Sequence, residues 1–210
     1  MMLPLNPTMT AQFILASTSP YRAKLLDLVH IPYKTVSPEY DELPLAGESP
    51  QDRSNRHAEG KAKSVATMNS ELVPSECIVI GSDQVAFMEQ TMFGKPLTQQ
   101  AAINQLTSAS GQWLAFVTAI CLYRDQQLIW QGQDRYDIKF RQLSSKKIRW
   151  YVDQDRPLDC AGSIKAEGLG LSLIEQMQGR DINTLYGLPV LLLLDALEEL
   201  GIELEDLSQG

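Results

Sequence analysis

Short blocks of apolar residues, each closed by proline, glycine or a helix-capping residue, recur along the chain and set out its elements. Phe13 to Ala16 is continuously apolar, as a strand covered on both faces would be, and Ser19-Pro20 then supplies a capping residue followed by proline at the first helical position. Leu25, Leu26, Leu28 and Val29 carry that helix forward at helical spacing. Pro32 to Val36 reads as extended, and SPEYDELPLAGESP beyond it as a proline-rich, acidic connection. Ser49-Pro50 repeats the helix start, with Asp52 three residues after Ser49, and predicts a polar helix to about Met68. Its cations Arg53, Arg56, Lys61 and Lys63 read mostly as a solvated face.

The second half continues the alternation. Cys77 to Ile80 predicts a buried strand that stops at Gly81-Ser82-Asp83-Gln84. Thr98 caps a helix over 99–108, strands over 113–123 and 128–140 flank a polar turn, and Ser144 caps another short helix. The stretch 160–168 is a glycine-punctuated loop. Pro189 opens a final helix with Val190, Leu193, Leu194 and Leu197 turned inward and Gly201 as its stop.

Two positions break the simple pattern. Arg22 and Lys24 stand in the first turn of the first helix, where the positive end of the helix dipole favours acids. An anion at that helix end, held by backbone N–H groups, the hydroxyls of Ser17 and Ser19 and the Arg22 guanidinium, would account for them. Taken alone, the stretch fits two solvated surface cations better, because strand-to-helix turns with one arginine are common. Asp83, at the carboxyl end of a buried strand, lies where α/β sheets collect ligands, and is the best-placed acid or base in the chain. A carboxylate capping a turn explains its position equally well. Gly94-Lys95-Pro96 is not a P-loop, since the upstream glycine and the following hydroxyl residue are both missing.

A formal net charge of −8 argues against a nucleic-acid polymer or an anionic membrane as partner. The three cysteines lie far apart without a CxxC pair, so neither a zinc site nor a disulfide framework is suggested. Two histidines, His30 and His57, are too few for a multi-histidine metal centre, and both read as structural. Residues 1–11 lack the makings of a signal peptide and read as a flexible tail on a single domain over 12–207. The aliphatic run Val190 to Leu194 is far short of the roughly 20 residues that span a bilayer, so a cytoplasmic protein is expected.

Taken in order, LASTSPYR, YDE at 40–42, HAEGKA, GSDQ, GKPLT, FRQL, CAGSIKAEG and GLP resemble the Maf-type nucleotide pyrophosphatases from residue 13 to about 200. GSDQ in place of GADT, and KAEG after AGS, resemble the branch acting on 7-methyl-GTP. The resemblance implies an α/β fold of Maf/ITPase-like form, a mixed central sheet with flanking helices in two lobes around a nucleotide-binding cleft. It implies hydrolysis of a nucleoside triphosphate between the α- and β-phosphates, a divalent cation, magnesium or manganese, and admits a homodimer.

Residue by residue, it makes Ser17, Ser19, Arg22 and Lys61 phosphate-binding and adds Lys95 to the catalytic set. Asp83 matches the general base, Glu42 a carboxylate that binds metal or positions water, and those two roles are interchangeable. Tyr21, Gln84 and Glu167 match the positions that select the base, with Glu167 facing the guanine edge and Tyr21 stacking on the charged ring. Three residues depart from the common pattern: Tyr21 replaces a basic residue, Gly60 stands where glutamate is frequent, and His57 where an aliphatic residue is usual. A broader pyrophosphatase acting on dTTP or UTP, or a nucleotide-binding regulator of septum formation, are the alternatives.

Overall fold

A computed structural model describes residues 12–68 and 71–207, so the expected tail over 1–11 lies outside the described residues. The elements run β1 (Phe13–Ala16), α1 (Pro20–Leu28), β2 (Tyr33–Val36), α2 (Pro50–Ala66), β3 (Ile78–Met88), β4 (Thr91–Phe93), α3 (Gln99–Ala109), β5 (Trp113–Arg124) and β6 (Gln127–Phe140). They continue with α4 (Ser145–Asp155), 3₁₀ turns at Ala161–Ser163 and Leu169–Leu173, β7 (Ile174–Gly179), α5 (Asn183–Tyr186), α6 (Val190–Glu199) and α7 (Leu204–Leu207).

All seven strands join one mixed sheet in the order β2-β1-β3-β5-β6-β7, with β4 pairing β3 off that path. β1 is parallel to both β2 and β3, and every pairing from β3 onward is antiparallel. This is the α/β mixed sheet that the sequence predicts.

β1 is apolar throughout because both of its faces are covered. Phe13 and Leu15 point into a core with Leu26, Ile80, Ile120 and Leu193, while Ile14 and Ala16 point to the other face, against Ala58, Ala62 and Val65 of α2. A third core fills the far end of the sheet, where Phe116 and Phe140 meet Leu106 of α3 and Tyr151 of α4. The two ends are thus separately packed regions joined by the long strands β3, β5 and β6. A cleft opens between them.

Four helix starts follow the capping chemistry of the sequence in different ways. Ser49, Thr98 and Ser144 each accept a hydrogen bond from the backbone N–H three residues on, as expected. Ser19 takes the N-cap backbone conformation of α1, but its hydroxyl makes no cap bond. The first turn of α1 therefore faces the cleft without a side-chain cap of its own.

Two expectations need correction. β3 does not stop at Gly81 but runs on through Gly81-Ser82-Asp83-Gln84 to Met88, pairing with β5 all along. Polar residues persist in it because distant groups satisfy them: Ser82 Oγ donates to the Gly187 carbonyl at 2.9 Å, and Gln84 Nε2 to the carbonyls of Thr184 and Leu185 at 2.7 and 3.1 Å. What ends at this level is β1, whose last pairing with β3 is Leu15 to Ile80. Asp83 is mid-strand in β3, just past the carboxyl end of its parallel neighbour. The second correction is at the end of the chain, where α6 is followed by the single-turn α7.

Candidate active site

The cleft has a volume of about 680 Å³. β1, α1 and the connection after β2 form one wall, β4 and the loop at 159–167 form the other, and β3 with the α5 turn forms the floor. Every residue named above as a site candidate lines it: Ser17, Ser19, Tyr21, Arg22, Glu42, Lys61, Asp83, Gln84, Lys95 and Glu167. They come from segments up to 150 positions apart, so the fold alone brings them together.

At the floor, Lys61 lies between two carboxylates. Its Nζ donates to Asp83 Oδ1 at 2.6 Å and is paired with Glu42 Oε1 at 2.6 Å. Lys61 and Asp83 are buried at 7% and 6% exposure, whereas half of the Glu42 side chain faces solvent. Helix α2 can deliver Lys61 this deep because its sheet-facing side is small, with Ala58 and Ala62 fully buried, and because Gly81 has no side chain. A Cβ on Gly81 would stand 2.2 Å from the Ala58 carbonyl oxygen and 2.7 Å from the Ala62 Cβ. Burial would raise the Glu42 carboxyl, but the hydrogen bond and charge of Lys61, helped by His57 and Lys95, outweigh it and hold the group below its ordinary value.

Arg22 is anchored rather than free. Its Nε donates to the Gly187 carbonyl at 2.8 Å and its Nη1 to Ser17 Oγ at 3.1 Å, and the same Ser17 oxygen accepts from the Ser19 N–H. Burial lowers its pKa, opposed by the negative charges of Asp83 and Glu42. Lys95, by contrast, is exposed on the facing wall. One wall of the cleft thus carries a fixed guanidinium with an uncapped helix start beside it, and the opposite wall an ammonium.

The other end of the cleft has a different character. Tyr21 is pushed up in pKa, first by burial and then by Cys160, Asp159 and Glu167, so its phenol stays neutral at any physiological pH. Burial likewise pushes Cys160 up to about 12. Tyr21 and Glu167 therefore lie close enough to influence each other, a neutral aromatic ring beside an exposed carboxylate. Gln84 spends its amide N–H groups on the floor, including Thr118 Oγ1 at 3.1 Å, which leaves its carbonyl oxygen as the part available to the cleft.

Sequence reasoning missed several members of this site. His57, read as structural, is 4% exposed and lines the cleft, with Nδ1 3.3 Å from the Tyr40 hydroxyl. Arg53, read as part of a solvated face, lines the cleft, and Arg56 of the same face, outside the lining, binds Glu48 through two nitrogens and reaches Tyr40 and Leu43. Its signal lay in the pairing of an acidic connection with a basic helix immediately after it. Gly187, the first residue of GLP, lines the cleft too, as do Phe93, Asp159 and Tyr186, which no local pattern marks.

As a cation site, Glu42 and Asp83 offer hard oxygen donors, the kind that holds magnesium or manganese through one or two carboxylates with substrate oxygens completing the shell. Among the described residues no group of three or more His, Cys, Asp or Glu side chains gathers as a self-sufficient metal centre. The residues fit a cation that arrives with the nucleotide. Among the described residues no helix is long and apolar enough to cross a membrane.

The chain is 43% identical over 197 residues to the 7-methyl-GTP pyrophosphatase of Vibrio vulnificus (strain CMCP6), covering 91% of this chain and 96% of that one. It is 42% identical over 192 residues to the protein of that name from Vibrio cholerae serotype O1 (strain ATCC 39315 / El Tor Inaba N16961), covering 91% and 96%. Among solved structures, a HAM1 protein from Coxiella burnetii superposes over 63% of this chain and 74% of its own, at 11% identity and a TM-score of 0.40. The model of the Maf-like protein family matches residues 12–200, nearly everything from β1 to the end of α6, and the chain belongs to that family.

Proposed function

We propose that the protein hydrolyses 7-methyl-GTP to 7-methyl-GMP and pyrophosphate. The observation that carries this reading is the chain Glu42–Lys61–Asp83 at the floor of a cleft that has phosphate-binding groups on its walls and a neutral tyrosine beside a carboxylate at one end. The substrate class comes from the relatives at about 40% identity that carry this activity in their names.

Asp83 takes a proton from the attacking water, whose oxygen forms a bond to phosphorus as the α–β anhydride bond breaks and the bridging oxygen leaves with pyrophosphate. Lys61 holds the Asp83 carboxylate in place, and Glu42 orients the water from the solvent side. Arg22, with Ser17 and Ser19, and Lys95 from the opposite wall, hold the phosphates and offset the charge that gathers on the departing pyrophosphate. A divalent cation held by Glu42, Asp83 and substrate oxygens supplies further charge neutralisation when bound.

N7-methylated guanine is cationic, and Tyr21 suits it as a neutral stacking surface while Glu167 accepts from the guanine edge and balances the charge. Gln84, from the floor of the same cleft, adds a side-chain amide to the recognition of the base. The cytoplasm, where nucleoside triphosphates are held, is the compartment this reading implies. A panel of ordinary and modified nucleoside triphosphates with magnesium or manganese, scored for products, tests it. Monophosphate plus pyrophosphate is expected, most rapidly from 7-methyl-GTP. Diphosphate plus orthophosphate would refute the bond assignment, and no turnover of any nucleotide would leave a binding protein.

A further inference from the structure

The connection at 37–48 brings Glu42 to the site, and it is tied to α2 by one run of side chains. Arg56 Nη1 donates to the Tyr40 hydroxyl at 3.1 Å and Arg56 Nη2 to the Leu43 carbonyl at 3.0 Å, so the chain is gripped on both sides of Glu42. Arg56 also pairs with Glu48 at the end of the connection. The Tyr40 ring lies edge-on to His57, with centroids 5.7 Å apart and planes at 72°. Beneath the ring is Gly60, where a Cβ would stand 2.2 Å from Tyr40 Cε2 and 2.4 Å from Cζ. Any other residue at 60 displaces this tyrosine.

We propose that Tyr40, seated in the niche left by Gly60 and fastened by Arg56 and His57, is a positioning residue that sets Glu42 against Lys61. The two departures from the family pattern on α2, His57 and Gly60, become one device: glycine makes room for the ring and the imidazole takes its hydroxyl. The same hydroxyl that accepts from Arg56 lies 3.3 Å from His57 Nδ1, so guanidinium and imidazole meet at one oxygen. Burial lowers the pKa of His57, with Arg56 and Lys61 acting in the same direction and Asp83 and Glu42 against it, so the neutral ring is the one present near neutrality. Two residues beyond the fastened ring, and one past Gly60 on the helix, Glu42 and Lys61 meet.

The proposal rests on the reading that Glu42 serves hydrolysis, and the test separates the two. Four proteins, Gly60→Ala, Tyr40→Phe, Glu42→Gln and the double variant Gly60→Ala with Glu42→Gln, are compared for kcat and KM on 7-methyl-GTP, with hydrogen exchange of peptides spanning 38–47. Gly60→Ala should lower kcat about tenfold or more with KM little changed, since misplacement by about 1 Å is enough for such losses. Exchange in the 38–47 segment should quicken while the melting temperature holds or rises, because alanine favours the helix. Tyr40→Phe keeps the ring and loses the hydroxyl, and should fall between wild type and Gly60→Ala.

In the Glu42→Gln background, Gly60→Ala should cost nothing more. Unchanged kcat and unchanged exchange in Gly60→Ala would overturn the proposal, as would an equal loss with and without Glu42, which marks general damage to the fold. Normal turnover in Glu42→Gln would overturn the underlying reading instead. That result is told apart from failure of the Tyr40 contact because exchange would still quicken in Gly60→Ala.

Discussion

Asp83 and Lys61 are each less than a tenth exposed and joined by a 2.6 Å hydrogen bond, a combination that is costly to bury without a use or a partner. Glu42 completes the pairing from the solvent side, so the ammonium balances one buried and one accessible carboxylate. Asp83→Asn keeps the shape and still offers an oxygen to Lys61, but cannot take a proton from water. Turnover should fall by roughly 10²-fold or more with nucleotide binding retained, as read by steady-state kinetics beside equilibrium binding. Near-normal turnover in a folded Asp83→Asn protein would remove Asp83 from the role of base. At this scale the sequence was most legible where a residue broke a rule. Arg22 runs against the charge pattern of a helix start; its stretch alone favoured a solvated cation, and the structure instead places it in the cleft, fixed to Gly187 and Ser17. The contacts of Arg56 and His57 were not legible, because their partner Tyr40 is 16 and 17 positions away in an irregular segment.

Elements set the distance between those residues. α2 carries Lys61 and β3 carries Asp83, and the two approach closely at Gly81, beneath the Ala58 carbonyl. Gly81→Ala must push helix from strand, since backbone rather than a mobile side-chain tip stands in the way. A loss of about 1–3 kcal/mol of stability is expected in thermal unfolding, as for overpacking, which Gly94→Ala, in open space, should not show. The acidic connection makes its own contribution at the other end of α2. The hydrogen bond from Arg56 first, against an upward push from burial that comes next, and then that from Arg53 hold Glu48 at about 2. A carboxyl depressed in the folded state stabilises above its unfolded value and loses that effect as pH falls through the folded one. The stability gap between wild type and Glu48→Gln should therefore be constant above about pH 5 and close between there and pH 2. Urea unfolding at pH 7 and pH 3 measures it, and a gap that stays equal at both would show that the Arg56 clasp does not depend on the Glu48 charge. The apolar blocks and caps in the sequence were enough to predict β1, α2, α3, β5 and β6 because their signals are local. β3 was cut short since its polar middle is satisfied by carbonyls about 100 positions onward, and the three-residue β4 and the polar edge strand β7 carry little periodicity of their own.

Across the whole molecule the proposed function divides the cleft into two chemistries, phosphate binding around Arg22 and base recognition around Tyr21 and Glu167, all lining one cleft. The proposal gives the adjacent residues Tyr21 and Arg22 different tasks, which α1 permits because successive helical residues point about 100° apart. If the division holds, selectivity and catalysis can be altered separately. Glu167→Gln keeps size but removes the anionic acceptor, at an exposed position with little bearing on packing. One charged hydrogen bond lost from substrate is worth about 1.5–3 kcal/mol, so kcat/KM for 7-methyl-GTP should drop by one to two orders of magnitude relative to a pyrimidine triphosphate. Arg22→Ala should instead depress both substrates alike, since each presents the same triphosphate to the same guanidinium. Measuring both variants on both nucleotides decides the matter. Equal slowing of the two substrates by Glu167→Gln would move Glu167 out of base recognition, and a selective effect of Arg22→Ala would mean that the two ends of the cleft are not separable.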